Sequence, residues 1–176
     1  MATVTSALGP LSDAAWNADG YAPLRDLVDP ATCAAVLDRA GDATRPHRDP
    51  VVATLGAALL ADLLQTDVVT ASSHLVVTLP GSAGVTWGRA DRSGGRSAVL
   101  RLALTDATLA TGCPWVLPGS HRGVEPLGLP VDGAVPVPLA AGDALLAHGA
   151  LVHRVTDNHS VAATAALVVA FRTAGG

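Results

Sequence analysis

The sequence has few charged residues, few aromatic residues and few cysteines, and it contains no lysine. Charged residues are 15% of the chain, the net charge is −4 and no basic run occurs, so we expect no nucleic-acid partner. The absence of lysine excludes Schiff-base and lysine general-base chemistry. Cys33 and Cys113 are too far apart for a zinc ribbon or a disulfide framework, and we expect two reduced thiols.

Long apolar runs are also missing. No apolar stretch approaches about 18 residues, the length that spans a bilayer, and the segment MATVTSALGPLSDAAW lacks the charged and apolar regions of a signal peptide. The sequence therefore predicts a soluble, cytoplasmic protein with no membrane partner. Aromatic residues are only 3% of the chain, so a binding pocket is expected to be lined by Leu, Val and Trp with a few polar groups.

Aliphatic residues are abundant, and their pattern predicts two helices followed by strands. The 176 residues, 49% of them hydrophobic, suit a single domain with one core. In DPATCAAVLDRAGD, Asp29 is a candidate N-cap, Pro30 a first helical residue and Gly41 a C-terminal stop. Residues 51–67 carry leucines at helical spacing and predict a second helix.

The rest of the chain reads as short strands separated by Gly and Pro. Segments such as HLVVTLP, AVLRLALTD and AALVVAFR recur at short intervals and predict a β-sandwich or barrel. We therefore expect one domain over residues 1–176, with a helical part over about 1–70 and a β core over about 72–173. Exposed sheet edges leave a homodimer open.

Five polar residues in or next to predicted strands are candidate functional residues. His148 and His153 lie in AGDALLAHGALVHRV, where an unpaired imidazole would carry a desolvation cost. Arg101 interrupts AVLRLALTD; it either points inward, where it could receive an anion, or outward as a solvated residue. Arg89 stands two positions from Asp91 in VTWGRADRSG, so in a strand their side chains would project side by side.

Three segments together resemble the phytanoyl-CoA dioxygenase family of non-haem iron, 2-oxoglutarate-dependent oxygenases. They are DGYAPLRDLVDPATCAAVLDRA, TGCPWVLPGSHRGV and LAAGDALLAHGALVHRVTDN. The resemblance implies a mainly β fold with N-terminal helices, whose core is a double-stranded β-helix (jelly roll, cupin-like). It also implies a structural loop at PGSHR and a turn role for Asp143 at the start of a strand.

The family holds Fe(II) with a His-x-Asp motif and a distal His. Matched residue by residue, the distal His falls on His153, the Asp on Asp91 and the first His on Arg89, which has no lone pair to donate to a metal. The Arg that binds the far carboxylate of 2-oxoglutarate falls on Thr164. We therefore expect no cofactor, with Arg89 paired to Asp91 in the place of the metal.

The first functional hypothesis is a metal-independent enzyme that catalyses an isomerisation, cyclisation or elimination on an apolar small molecule. Such roles are familiar among tailoring enzymes of bacterial specialised metabolism, which is an analogy of fold. Asp91 or His153 would transfer the proton, and Arg89 or Arg101 would stabilise developing negative charge. The predicted substrate contacts are Trp87, Trp115, His74 and His148.

Two other hypotheses stay open. The chain could be an Fe(II)/2-oxoglutarate-dependent hydroxylase in which Asp91, His153 and a substitute such as His74 or His148 hold the iron. It could also be a non-catalytic pseudoenzyme or ligand-binding protein, although scaffold duty alone does not require Asp91 and His153 at matching positions.

Overall fold

A computed structural model describes residues 13–39, 57, 61, 67–91, 97–123 and 132–173. Two helices, α1 (Asp13–Asp19) and α2 (Pro30–Arg39), lie in its N-terminal part. Helix α2 begins as predicted: Pro30 is its first residue, and the Asp29 carboxylate accepts hydrogen bonds from the Thr32 amide (2.9 Å) and the Thr32 hydroxyl (3.0 Å). Gly41 and nearly all of the second predicted helix, 51–67, lie outside the described residues.

Antiparallel β-structure makes up most of the described chain. The strands are β1 (Tyr21–Leu24), β2 (Val68–Thr78), β3 (Val85–Gly88), β4 (Ser97–Ala103), β5 (Pro114–Val116), β6 (Val135–Pro136), β7 (Ala144–His148), β8 (His153–Val155) and β9 (Thr164–Thr173). They form a large sheet of order β1-β7-β4-β9-β2 and a small sheet of order β3-β8-β5-β6. The predicted all-β body is therefore confirmed as two antiparallel sheets.

Two strand boundaries differ from the prediction. Strand β2 begins at Val68, a few residues before the expected start of the β core at about 72. Strand β1 lies in the part of the chain that was expected to be helical and pairs with β7 at the edge of the large sheet. Its sequence, YAPL, contains Pro23, which lacks an amide donor and is therefore suited to an edge strand. Four residues with a proline give too short a pattern to predict a strand.

The two faces of the large sheet bury different sets of residues. On β4, Ala98, Leu100 and Leu102 are buried on the face that packs against the N-terminal segment. The alternate residues Ser97, Val99 and Arg101 point to the opposite face, because side chains in a strand alternate. That second face belongs to a core shared with the small sheet, whose members include Ala103, Leu145, Ala147, Val116 and Leu151. We call the space between the two sheets the lumen.

The start of β7 is fixed by a buried carboxylate. Asp143 is 5% exposed at its side chain and accepts hydrogen bonds from the Asp26 amide (3.0 Å), the Ala140 amide (3.0 Å) and the Arg25 guanidinium (2.5 Å). Burial acts to raise the pKa of Asp143, but these donors together hold it below its ordinary value. The structure thus gives Asp143 the predicted turn role.

The structure also bears on the expectations for membrane-spanning helices and for the two cysteines. In the described ranges, no helix combines the length and the apolar character that crossing a membrane requires. Cys33 and Cys113 are both free and buried, and burial raises the pKa of each thiol. Neither cysteine is therefore set up as a nucleophile.

Candidate functional site

Arg101 lies on the central strand of the large sheet and points into the lumen. Its strand partners are Leu145 on β7 and Val168 on β9, so apolar side chains flank it on both sides. Burial lowers the pKa of Arg101 to about 10, so it remains a cation at neutral pH. Among the described residues, none accepts a hydrogen bond from its guanidinium or pairs with it. The inward orientation, one of the two predicted alternatives, is therefore the one observed.

His153 opens strand β8 on the other wall of the lumen. Its Nδ1 lies 2.9 Å from the carbonyl oxygen of Leu151, which can only accept, so Nδ1 carries the proton. Nε2 then has a free lone pair. Burial lowers the pKa of His153; the bond to Leu151 partly offsets this effect, and the nearby cation of Arg101 adds to it. His153 is consequently a neutral imidazole near pH 7, and its titration is sensitive to Arg101.

Asp91 lies at one end of the lumen, next to Ser97 at the start of β4. Its carboxylate accepts a hydrogen bond from the Ser97 hydroxyl (2.5 Å), and its amide donates to the Gly149 carbonyl (2.8 Å). A Cβ at Gly149 would collide with the Ser97 hydroxyl and press on Asp91, so this close approach requires glycine. Ser97 and Arg101 share one face of β4 four residues apart, which is about 13 Å along a strand. Asp91 and Arg101 therefore serve different ends of the lumen.

Arg89 does not take the predicted place. Its guanidinium donates to the backbone carbonyls of Ala150 (2.8 Å), Gly123 (2.9 Å) and Ser120 (3.4 Å), and not to Asp91. The expected Arg89–Asp91 pair in the place of the metal is therefore wrong. The reason is local: β3 ends at Gly88, so strict alternation no longer holds at 89–91, and nearby loop carbonyls offer acceptors to Arg89. Arg89 fastens the PGSHR turn to the β7–β8 connection.

His148 lies on the face of the large sheet that packs against the N-terminal segment. Its Nδ1 accepts a hydrogen bond from the Ala150 amide (3.1 Å), and its ring packs against those of His121 (5.1 Å between centroids) and Trp16 (6.1 Å). Burial lowers the pKa of His148, His121 lowers it further, and the Asp91 carboxylate acts in the opposite direction. Its predicted contact with a lumen substrate is not supported by this position.

His121 lies in the PGSHR segment, which was expected to be a structural loop. Its ring packs against that of His148, which in turn packs against Trp16. Its ring lies over Gly20, where any Cβ would collide with it. Burial lowers the pKa of His121. The proximity of His121 to His148 brings together residues 27 positions apart, and no local pattern in the sequence indicates it.

The two predicted tryptophan contacts lie together, but against Arg154. The guanidinium carbon of Arg154 is 5.3 Å from the ring centroid of Trp87 and 5.8 Å from that of Trp115. Trp115 pairs with Arg154 and Val116 with His153 across β5 and β8, so alternation puts this stack on the face opposite His153. His74, the remaining predicted contact, is exposed on β2 at the end of the large sheet. The structure therefore brings Arg101 and His153 to the lumen. Trp115 also packs, partly buried, against the core between the sheets, whereas Trp87 lies over Arg154 and His74 is exposed.

Comparison with known proteins now gives the family. The model of the phytanoyl-CoA dioxygenase (PhyH) family matches residues 47–164, more than half of the chain. The chain belongs to the phytanoyl-CoA dioxygenase family. A curated relative, phytanoyl-CoA dioxygenase domain-containing protein 1 of Mus musculus, is 34% identical over 102 residues, which cover 47% of this chain and 35% of that protein. The chain thus matches only about a third of that relative's length.

Solved structures of similar fold come from natural-product biosynthesis. EvdO2 from Micromonospora carbonacea var. aurantiaca, complexed with 2-oxoglutarate, has a TM-score of 0.82 at 20% identity, covering 99% of this chain and 94% of its own. The non-heme alpha ketoglutarate dependent epimerase SnoN from nogalamycin biosynthesis has a TM-score of 0.79 at 20% identity, covering 92% and 82%. At these identities the likeness shows the fold.

The phytanoyl-CoA dioxygenase family implies iron and 2-oxoglutarate, and the described residues do not fit the iron. In the described part of the chain, no three His, Cys, Asp or Glu side chains converge as a metal-binding group. The first-ligand position holds Arg89, which has no lone pair. The Arg101 cation is close enough to His153 to lower the pKa of its imidazole, and it would repel a metal ion there. The substitutes considered from the sequence, His74 and His148, lie on an outer strand and on the other face of the sheet.

Proposed function

We propose that this protein is a metal-independent enzyme that moves a proton on a small, largely apolar molecule bound in the lumen. The reaction class is an isomerisation, cyclisation or elimination. The observation that supports it most directly is the pair of Arg101 and His153: a cation with no acceptor among the described residues, beside a neutral imidazole. In this reading the two sheets form the double-stranded β-helix of the family.

His153 has the properties of a general base. Its Nδ1–H is held by the Leu151 carbonyl, which fixes the ring and leaves Nε2 able to accept a proton. The lowered pKa keeps the imidazole neutral near pH 7, so the acceptor is available. Asp91 remains the second predicted proton-transfer group, at the other end of the lumen beside Ser97.

Arg101 has the properties of an electrostatic stabiliser. When a proton leaves a carbon or oxygen atom of the substrate, negative charge develops there, and a fixed cation in an apolar wall stabilises it more strongly than water does. The proton can then return at another atom, or leave together with a departing group. No electrons are lost or gained, so the step requires no oxidant.

The neighbours in natural-product biosynthesis support a place in bacterial specialised metabolism. SnoN is described as an epimerase and SnoK, at a TM-score of 0.77, as a carbocyclase, so similar folds rearrange substrates in addition to hydroxylating them. Both are alpha ketoglutarate dependent, whereas the residues described in this chain favour chemistry without that cofactor. We propose a cytoplasmic location and leave a homodimer open.

The alternative of an Fe(II)/2-oxoglutarate-dependent hydroxylase finds support in one observation. Arg101 lies next to Val168 on β9, the strand that begins with Thr164, where the family carries its 2-oxoglutarate arginine. Arg101 could therefore bind a keto acid from the neighbouring strand. The missing imidazole at position 89 and the positions of His74 and His148 argue against this reading.

The test combines product profiles with a cofactor assay. Cells that lack the gene are complemented with the wild type, His153→Gln, Arg101→Met or, as a control, the exposed His159→Gln. We expect the first two variants to lose one product, whose mass equals that of the accumulating precursor or falls short of it by a small leaving group. Purified protein that converts 2-oxoglutarate to succinate with Fe(II), or a product that gains one oxygen, would overturn the proposal.

If neither variant alters any product while gene deletion does, the pseudoenzyme reading takes its place.

A further inference from the structure

We propose that Arg101 binds a carboxylate of the lumen's ligand, so that the substrate is a small carboxylic acid with an apolar body. This inference rests on the proposed function, because it names the substrate class of the same site. The other described arginines of the chain provide the contrast that supports it.

Three other described arginines have partners, although the Nε of Arg154 is buried without a hydrogen-bond acceptor. Arg89 donates to three backbone carbonyls, Arg25 pairs with Asp143, and Arg154 lies over two indole rings. Arg101 differs from Arg89 and Arg25: it is a partly buried cation on the lumen face of β4, and no described residue accepts a hydrogen bond from it or pairs with it. A partly buried cation without a counter-ion costs free energy, which a ligand anion would recover on binding.

The surroundings of Arg101 favour a carboxylate over a phosphate. Its neighbours across the strands, Leu145 and Val168, are apolar, and Val99 shares its face of β4. His153, the titratable group on the facing wall, is neutral near pH 7. The described lumen therefore offers one positive charge at Arg101, while the Asp91 carboxylate lies at the other end beside Ser97, so the surroundings of Arg101 match a monoanion. The planar fork of a guanidinium also matches the two oxygens of a carboxylate.

The same geometry predicts the rest of the ligand. With a carboxylate on Arg101, the body of the acid would lie against Val99 and Val168, which flank Arg101 on the lumen face of the large sheet and are only partly buried. Its proton-bearing atom would lie within reach of His153. Such a ligand needs an apolar chain, because the described wall offers it few polar partners.

A carboxylate can come from two sources, which one experiment separates. Purified full-length protein is titrated calorimetrically in EDTA with hexanoate, with 2-oxoglutarate and with hexanamide, which matches hexanoate without its charge. We expect Arg101-dependent binding of hexanoate and at least tenfold weaker binding of hexanamide. Tighter binding of hexanoate indicates an apolar acid as ligand. Tighter Arg101-dependent binding of 2-oxoglutarate also supports the carboxylate site but identifies the keto acid as its source.

Variants make the assignment specific. Arg101→Met should weaken carboxylate binding at least tenfold and Arg101→Lys by less, while the exposed Arg122→Met should bind like the wild type. Thermal unfolding of each variant checks that the fold is intact. Wild-type affinity of Arg101→Met for both acids, or equal affinity of the wild type for hexanoate and hexanamide, would overturn the inference.

The outcome is separable from that of the proposed function. Conversion of 2-oxoglutarate to succinate would end the metal-independent reading but would leave an Arg101-dependent carboxylate site standing. Conversely, His153→Gln could abolish the product while Arg101→Met still binds both acids with wild-type affinity. That result would overturn only the assignment of a carboxylate site to Arg101.

Discussion

Arg25 and Arg101 show two opposite uses of the same side chain. The Arg25 side chain is 58% exposed, yet it is paired with the buried carboxylate of Asp143. Arg101 lies partly buried on the lumen face of β4, and it has no acceptor among the described residues. The first charge holds two segments of the fold together, and the second contributes nothing evident to folding. The comparison suggests that a charge placed for the fold comes with its partner, whereas a charge placed for a ligand does not.

The largest change in stability is expected when the Asp143 carboxylate, the partner of Arg25, is removed. Asp143→Ala removes the acceptor of two backbone amides and of Arg25, and it should lower the free energy of unfolding by about 3 kcal/mol. Arg25→Ala should cost less than about 1 kcal/mol, because Arg25 is mostly exposed and the amides keep their acceptor. Urea denaturation of the two variants measures both values. Equal losses would mean that the ion pair, and not the amide bonds, fixes the start of β7.

Substitution of Arg101 should raise the free energy of unfolding instead of lowering it. Arg101→Met replaces a partly buried cation, unpaired among the described residues, by an apolar side chain of similar length, and it should raise the free energy of unfolding by about 1 kcal/mol. The measurement is the same urea titration without ligand. A loss of stability comparable to that of Asp143→Ala would show that Arg101 is part of the folding interactions.

The histidines with lowered pKa values and Asp143 should change the stability of the protein in two different pH ranges. The pKa values of His121, His148 and His153 lie below their ordinary value of 6.5 in the folded protein, so their contribution is present above pH 6.5 and is lost as the pH falls towards the folded values. The pKa of Asp143 is also lowered, from 3.8, so its contribution is lost only below about that pH. Thermal unfolding between pH 3 and 8 should therefore show two separate declines.

The matched variant for this test is His153→Gln, which should reduce the decline near pH 6 and leave the one below pH 4 in place. A single decline, unchanged by the substitution, would contradict the assignment.

The smallest effect is expected at the stack of Trp87, Arg154 and Trp115. Trp87→Leu removes one of two cation–π contacts at 5.3 Å and should lower stability by about 0.5–1 kcal/mol. Because this stack lies on the face opposite His153, the affinity for hexanoate should not change. Calorimetry on the purified variant measures this, and a clear loss of affinity would return Trp87 to the binding site as predicted from the sequence.

Local patterns in the sequence were sufficient to predict much of the fold. Asp29 and Pro30 mark the start of α2, and short strand-forming runs separated by Gly and Pro indicate the strands. These features depend on neighbours in the chain, and the match to the family then supplied the fold.

The sequence could not predict contacts that tertiary packing decides. Arg89 binds loop carbonyls at positions 120, 123 and 150, which no spacing around residue 89 indicates. The inward orientation of Arg101 was one of two alternatives, because alternation fixes which residues share a face but not which face is buried. The same holds for Trp87 and Trp115, whose common partner, Arg154, comes from a third strand.

Gly149 restricts which substitutions are possible at the end of the lumen that holds Asp91. Because its backbone lies directly against Ser97 and Asp91, even alanine at position 149 would displace both. A chain that acquired a side chain there would have to rebuild the geometry around Asp91 at the same time. Substitutions that reshape this end of the lumen therefore require compensating changes at Ser97 and Asp91.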